Sequence, residues 1–242
     1  EQTFYWTDEN NTKITQLDTF ATAFLEKCTV SKMIAEYIVL AESLQIPMVL
    51  RPYQYYAVKA IEGRVKESDK NGYIWHTTGS GKTLTSFKAS QILSRMAEVK
   101  KVLFVVDRKD LDIQTTKEFN SFSDGSVDGT DSTRNLVAQL ADTNRKLIVT
   151  TIQKLDIAIG REHHFDKFAY LADECHRSQF GQTHARIKGF FKRAQLFGFT
   201  GTPIFAENNI GGATTADVFD SCLHKYIITN AISDNNVLGF AV

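Results

Sequence analysis

Three short stretches hold side chains that could act on a phosphorylated ligand. The first is GSGKT, Gly79–Thr83, which follows the apolar run YIWHT and opens a stretch of helical period. Glycines at 79 and 81 let main-chain N–H groups curl around a phosphate, and the helix N-terminus adds partial positive charge. In such a loop Gly79, Ser80 and Gly81 form the cradle, Lys82 reaches the outer phosphates, and the Thr83 hydroxyl holds Mg2+. The strict pattern also asks for glycine five positions before Gly81, where this chain has His76. A glycine turn with a stray lysine is the bland alternative. The strand before it and the helix after it argue for the phosphate loop.

The second stretch, FAYLADECHRSQFG, ends an apolar run in the carboxylate pair Asp173 and Glu174. An aspartate there can hold the water shell of Mg2+, and the neighbouring glutamate can take a proton from an attacking water. Alone, an acidic pair at a strand end is most often a solvated loop. Downstream of a phosphate loop in the same sheet it becomes a catalytic set with Lys82. The third stretch, LFGFTGTPI, brings Thr200, Gly201 and Thr202 to a tight turn at a strand end. Its two hydroxyls could sense the state of the γ-phosphate.

These groups need a scaffold that presents strand ends side by side. YIWHT, KVLFVVD, KLIVTT, FAYLAD and QLFGFTG are unbroken apolar runs, as expected where helices cover both faces of a parallel sheet. Between them the periodicity predicts helices over 82–96, 110–119, 132–140 and 183–191, and a Gly/Ser/Asp-rich loop over 121–132. The fold class is a doubly wound, mainly parallel α/β sheet, whose ligands bind at the carboxyl ends of the strands. Residues 1–46 show helical spacing with polar breaks and no visible chemistry, and read as a helical lead-in.

Bulk properties narrow the classes. The 242 residues carry 28 Lys+Arg against 28 Asp+Glu, which argues against a broadly basic nucleic-acid wrapper but leaves room for a local groove. Cys28, Cys175 and Cys222 are far apart, without zinc-type spacing, so reduced thiols are expected. Reduced thiols point to a cytoplasmic protein, and apolar runs too short to span a bilayer leave no membrane partner expected. His163 and His164 sit in a polar loop without ligand spacing, and Trp75 reads as core rather than as a stacking platform.

In order and spacing, HTTGSGKT, DECH and TGTP resemble motifs I, II and III of superfamily-two helicases and translocases. LRPYQYYAV resembles the upstream adenine-reading motif, FVVDRKDL motif Ia and VTTIQKL motif Ib. The longer phrases GYIWHTTGSGKTLTSFKASQIL, VDRKDLDIQTTKEFNSF, DECHRSQFG and LFGFTGTPIF are similar to the motor (R) subunit of type I restriction-modification enzymes, a likeness covering most of 48–242. The resemblance implies a RecA-like motor domain, the first of a pair, with Gln54 on the base edge and Tyr53 packing nearby. It implies ATP and Mg2+ at Gln54, Gly79–Thr83, Asp173 and Glu174. His176, Thr200, Gly201 and Thr202 would couple hydrolysis to movement. Arg108, Lys109, Thr151 and Gln153 would face double-stranded DNA.

The same resemblance implies methyltransferase and specificity subunits as partners in a bacterial or archaeal cell. It divides the chain into a lead-in at 1–46, motor domain 1 at 47–224 and an exit segment at 225–242. Neither a PD…(D/E)xK nuclease arrangement nor the Q-x-x-G-R-x-x-R motif of a second motor domain is present in these 242 residues, and Arg186 and Arg193 do not fit that motif. An arginine of this kind is worth orders of magnitude in comparable phosphoryl-transfer sites. The expectation is a piece of a longer protein that binds nucleotide and hydrolyses it poorly. The rivals are a strand-separating DNA or RNA helicase of the same superfamily, and a non-catalytic, nucleotide-gated assembly module.

Overall fold

The apolar runs become strands because each can bury both of its faces. In β4, Val102–Val106, the side chains of Val102 and Phe104 enter one buried cluster while those of Leu103 and Val105 enter another. β3, Gly72–His76, and β7, Gln195–Thr200, divide in the same way: Ile74 and Phe197 go to the first cluster, Tyr73 and Leu196 to the second. That two-sided burial is what an alternating strand period delivers inside a layered α/β sheet. The computed structural model describes residues 4–41, 45–106, 133–160, 169–173, 186–187, 189–208 and 213–236. The helix expected at 110–119 and the loop at 121–132 lie outside them.

Six strands form one parallel sheet in the order β5-β4-β6-β7-β3-β8, with β5 at Leu147–Thr151, β6 at Ala169–Asp173 and β8 at Cys222–Tyr226. The first buried cluster lies beneath α3, Pro52–Glu67, and α4, Lys82–Arg95. The second lies beneath α5, Thr133–Ala141, α6, Ile152–Ile159, and α7, Thr215–Phe219, together with Ile187 and Phe191. Helix ends are closed by long polar side chains. The Gln195 amide donates to the carbonyls of Arg64, Ser68 and Lys70 at the end of α3. The Lys101 ammonium, itself buried, donates to the carbonyls of Gln139 in the last turn of α5 and of Asp142 and Arg145 just beyond it, where a helix favours positive charge.

Residues before 50 depart from the helical expectation. α1, Leu17–Ala23, α2, Lys27–Lys32, and a π turn at Met33–Tyr37 do follow the apolar spacing. The chain then straightens into β1, Ile38–Ala41, which pairs antiparallel with β2, Ile46–Val49. The β-branched pair Ile38–Val39 favours extended backbone, and helical spacing alone could not locate that switch. The segment is also built into the main core. Trp6, Met33, Tyr37 and Val39 belong to the cluster under α3, with the Trp6 ring 4.4 Å from Phe24 and 5.6 Å from Tyr55. The Tyr37 hydroxyl donates to Glu62 of α3 at 3.0 Å. Among the described residues, no helix is long and apolar enough to cross a membrane.

Candidate nucleotide site

β3 ends at His76 and the chain turns through Thr77–Gly81 into α4. Gly79 and Gly81 have φ of +79° and +72°, left-handed values that L side chains adopt only under strain. A Cβ on Gly81 would come within 2.7 Å of the Gln54 amide nitrogen, whereas a Cβ on Gly79 would meet nothing within 4 Å. The loop is therefore packed on one side and open on the other. Ser80 is buried, and both its N–H and its hydroxyl donate to the Thr77 carbonyl, at 3.3 and 2.7 Å. Lys82 and Thr83 open α4 half-buried, at a helix start with no side-chain cap on its N–H groups. An open, glycine-lined turn leading into uncapped amides suits a phosphate group.

α3 holds this loop from beneath. Pro52 occupies its first turn, and the Gln54 amide oxygen accepts the Arg51 N–H at 2.9 Å, closing the helix start. The same side chain donates to the Ser80 and Gly81 carbonyls at 3.2 and 3.3 Å. Gln54, expected on the base edge, is thus buried and fastened to the loop in this structure. Tyr53 does pack nearby: its hydroxyl donates to the Ser80 carbonyl at 2.8 Å, and its ring stacks on Tyr226 with centroids 3.6 Å apart. Tyr226 in turn donates to Asp234 at 3.0 Å and accepts from Asn236.

Register brings the other two stretches to the same end of the sheet. Trp75 of β3 lies opposite Thr200 of β7, and Asp173 of β6 lies opposite Phe199. β7 sits between β3 and β6, so the Thr200–Thr202 turn stands between the phosphate loop and the acidic strand end. Thr200 is buried, and its hydroxyl accepts the Thr202 N–H at 3.1 Å. Glu174, His176, Arg108 and Lys109 lie outside the described residues. Thr151 is fully buried, and its hydroxyl accepts the Lys154 N–H to cap α6, so it presents no hydroxyl to a ligand. Gln153, two residues on, is exposed. Arg186 pairs with Asp156 of α6 at 3.0 Å. Trp75, expected as core, is only half-buried, with its ring 5.3 Å from Phe205.

His76 has a partner that the sequence does not announce. Its Nε2 lies 2.9 Å from Nδ1 of His224, 148 positions away on the neighbouring strand, and both rings are buried. Burial, together with repulsion between the two rings should both be protonated and the Lys82 charge, holds the His76 ring well below the usual histidine range, and burial brings His224 down to about 4. The folded protein therefore keeps both rings neutral. Histidines lowered in the fold contribute full stability above the unfolded value near 6.5, and that contribution is lost as acid protonates the unfolded chain. We expect denaturation midpoints to fall between pH 6.5 and about 4, with His224 alone worth roughly 3 kcal/mol. His224→Gln should flatten that limb; an unaltered pH profile would refute the neutral pair.

Comparison with known proteins agrees with this architecture. Residues 53–241 match the SWI2/SNF2 ATPase family. The chain is 54% identical, over 99% of its length, to the endonuclease subunit of the type I restriction enzyme SauMSSORF170P from Staphylococcus aureus (strain MSSA476), of which it spans 26%. It is 42% identical, over 77% of its length, to the C-terminal part of the putative type I restriction enzyme MpnIIP endonuclease from Mycoplasma pneumoniae (strain ATCC 29342 / M129 / Subtype 1), covering 99% of that chain. Among solved structures, a nuclease-deletion mutant of the Type ISP restriction-modification enzyme LlaGI, in complex with a DNA substrate mimic, superposes with a TM-score of 0.62. That match has 19% identity and covers 79% of this chain and 21% of the other. The phosphate loop, the strand order and these relatives together place the chain in the SWI2/SNF2 ATPase family, among the endonuclease subunits of type I restriction enzymes.

Proposed function

We propose that residues 47–224 are the first RecA-like motor domain of such a subunit, that 225–242 lead toward a second, and that the complete protein uses ATP to move double-stranded DNA before cutting it. The convergence of the Gly79–Thr83 loop, the Thr200–Thr202 turn and Asp173 at one end of a single parallel sheet carries the reading. The left-handed glycines and the open space over Gly79 suit a triphosphate. Thr83 and Asp173 are the oxygen donors that would hold Mg2+, which neutralises phosphate charge when bound. Lys82 holds the outer phosphates, Glu174 takes the proton of the attacking water, and the β7 turn passes the outcome on with His176. Modification and specificity subunits, a cytoplasmic setting, and DNA contacts through Gln153, Arg108 and Lys109 belong to the same reading.

The isolated chain binds ATP and turns it over slowly, because these 242 residues lack the Q-x-x-G-R-x-x-R motif that would bring an arginine to the γ-phosphate, and Arg186 is tied to Asp156. Calorimetry with ATP and Mg2+, followed by turnover assays with and without duplex DNA, tests this. Binding with slow, DNA-insensitive hydrolysis is expected. Robust DNA-stimulated turnover that Lys82→Ala abolishes would show that the chain holds a complete site.

A further inference from the structure

The turn after β7 and the loop after β3 touch through their backbones. A Cβ on Gly201 would meet the His76 carbonyl and the Thr78 hydroxyl at 3.4 Å and the Thr78 nitrogen at 3.5 Å, so the turn sits directly beside the loop with space for little more than a methyl group. Segments this close can pass a shift of the loop on to the turn. One side chain spans the same junction. Trp75 donates its indole N–H to the Gly201 carbonyl at 3.3 Å, at the long end of the hydrogen-bond range. Its ring is edge-on to Phe205 beyond the turn, with the Lys225 ammonium 5.9 Å from the ring centre.

We propose that Trp75 is a positioning residue: its indole N–H tethers the Thr200–Gly201–Thr202 turn to the strand that carries the phosphate loop, so that filling the loop changes this hydrogen bond. The inference rests on the nucleotide-binding reading above. It gives a use to the half-exposed indole, which packing alone does not require. Lys82 would meet the phosphates directly and Thr83 and Asp173 would meet them through Mg2+; Trp75 acts through the turn.

The chain has two tryptophans, Trp75 and the buried Trp6 of the lead-in, so indole 15N–1H spectra of the unaltered protein contain the probe and its control. Titration with ATP and Mg2+ should shift the Trp75 indole cross-peak and leave that of Trp6 in place. Trp75→Phe assigns the peaks and deletes the donor while keeping an aromatic ring. Hydrogen exchange should then show nucleotide-dependent protection of the 200–205 amides in the parent chain, reduced roughly fivefold in the variant if the bond is worth its usual ~1 kcal/mol. A Trp75 peak that stays put while calorimetry shows ATP bound overturns the tether alone. Absent binding in calorimetry overturns the nucleotide reading beneath it. Should Trp75→Phe fail to fold, Trp6→Phe assigns the peaks and the titration of the unaltered chain still decides.

Discussion

Lys82→Ala should weaken binding of ATP with Mg2+ by roughly 30- to 1000-fold, equivalent to about 2–4 kcal/mol. Lys82 stands at the first position of α4, half-buried behind the left-handed turn of Gly79 and Gly81. A triphosphate entering that turn brings concentrated negative charge to a place partly screened from water, where an opposing ammonium is worth more than at an open surface. Removing it leaves phosphate oxygens with backbone amides alone. The fold should be spared, since alanine is a better helix former and a positive charge at a helix start is unfavourable. Calorimetry reads the affinity and a thermal scan the stability. Equal affinity for the two proteins would remove Lys82 from the site, whereas a collapsed melting temperature would mean that the lysine is structural.

Trp6→Ala should have the largest effect on stability. The ring lies in the cluster under α3 against Phe24, Tyr55 and Tyr56, and is 8% exposed. Emptying such a site costs about 3–5 kcal/mol. In a chain of this size that lowers Tm by roughly 6–20 °C. The measurement separates two views of the first forty residues. A detachable lead-in would melt apart from the motor and leave its transition where it was; an integral one lowers the transition of the whole. Calorimetric scans of the variant and the parent chain decide between them.

The parts of the fold most legible in sequence are those where one local rule suffices. Unbroken apolar runs announced buried parallel strands, and GSGKT between a strand and a helix announced a turn that glycines make without strain at 79 and 81. Pairings across long sequence separations were illegible. Nothing near His76 points to His224, and nothing near Tyr53 points to Tyr226, because the neighbourhood of β3 and β8 is fixed by sheet order and not by local pattern. Gln54 shows a different limit. Its identity fits a base-reading amide, yet in this structure helix capping and loop carbonyls use its donor and acceptor alike. The switch from helix to strand at Ile38 was hidden because short apolar runs serve both.

The seam around Tyr53 and Tyr226 also has a mechanical reading. Tyr53 reaches the Ser80 carbonyl on one side and stacks on Tyr226 on the other. From there Asp234 runs to Lys13 at 3.3 Å and Asn236 to Arg51, so residues from the beginning and the end of the described chain are knotted beside the phosphate loop. Tension drawn between residue 13 and residue 236 would load this small polar seam long before it strained the hydrogen-bonded sheet. A pull at either margin would thereby be delivered through Tyr53 to the Ser80 carbonyl of the glycine turn. The loop is placed where it can feel force.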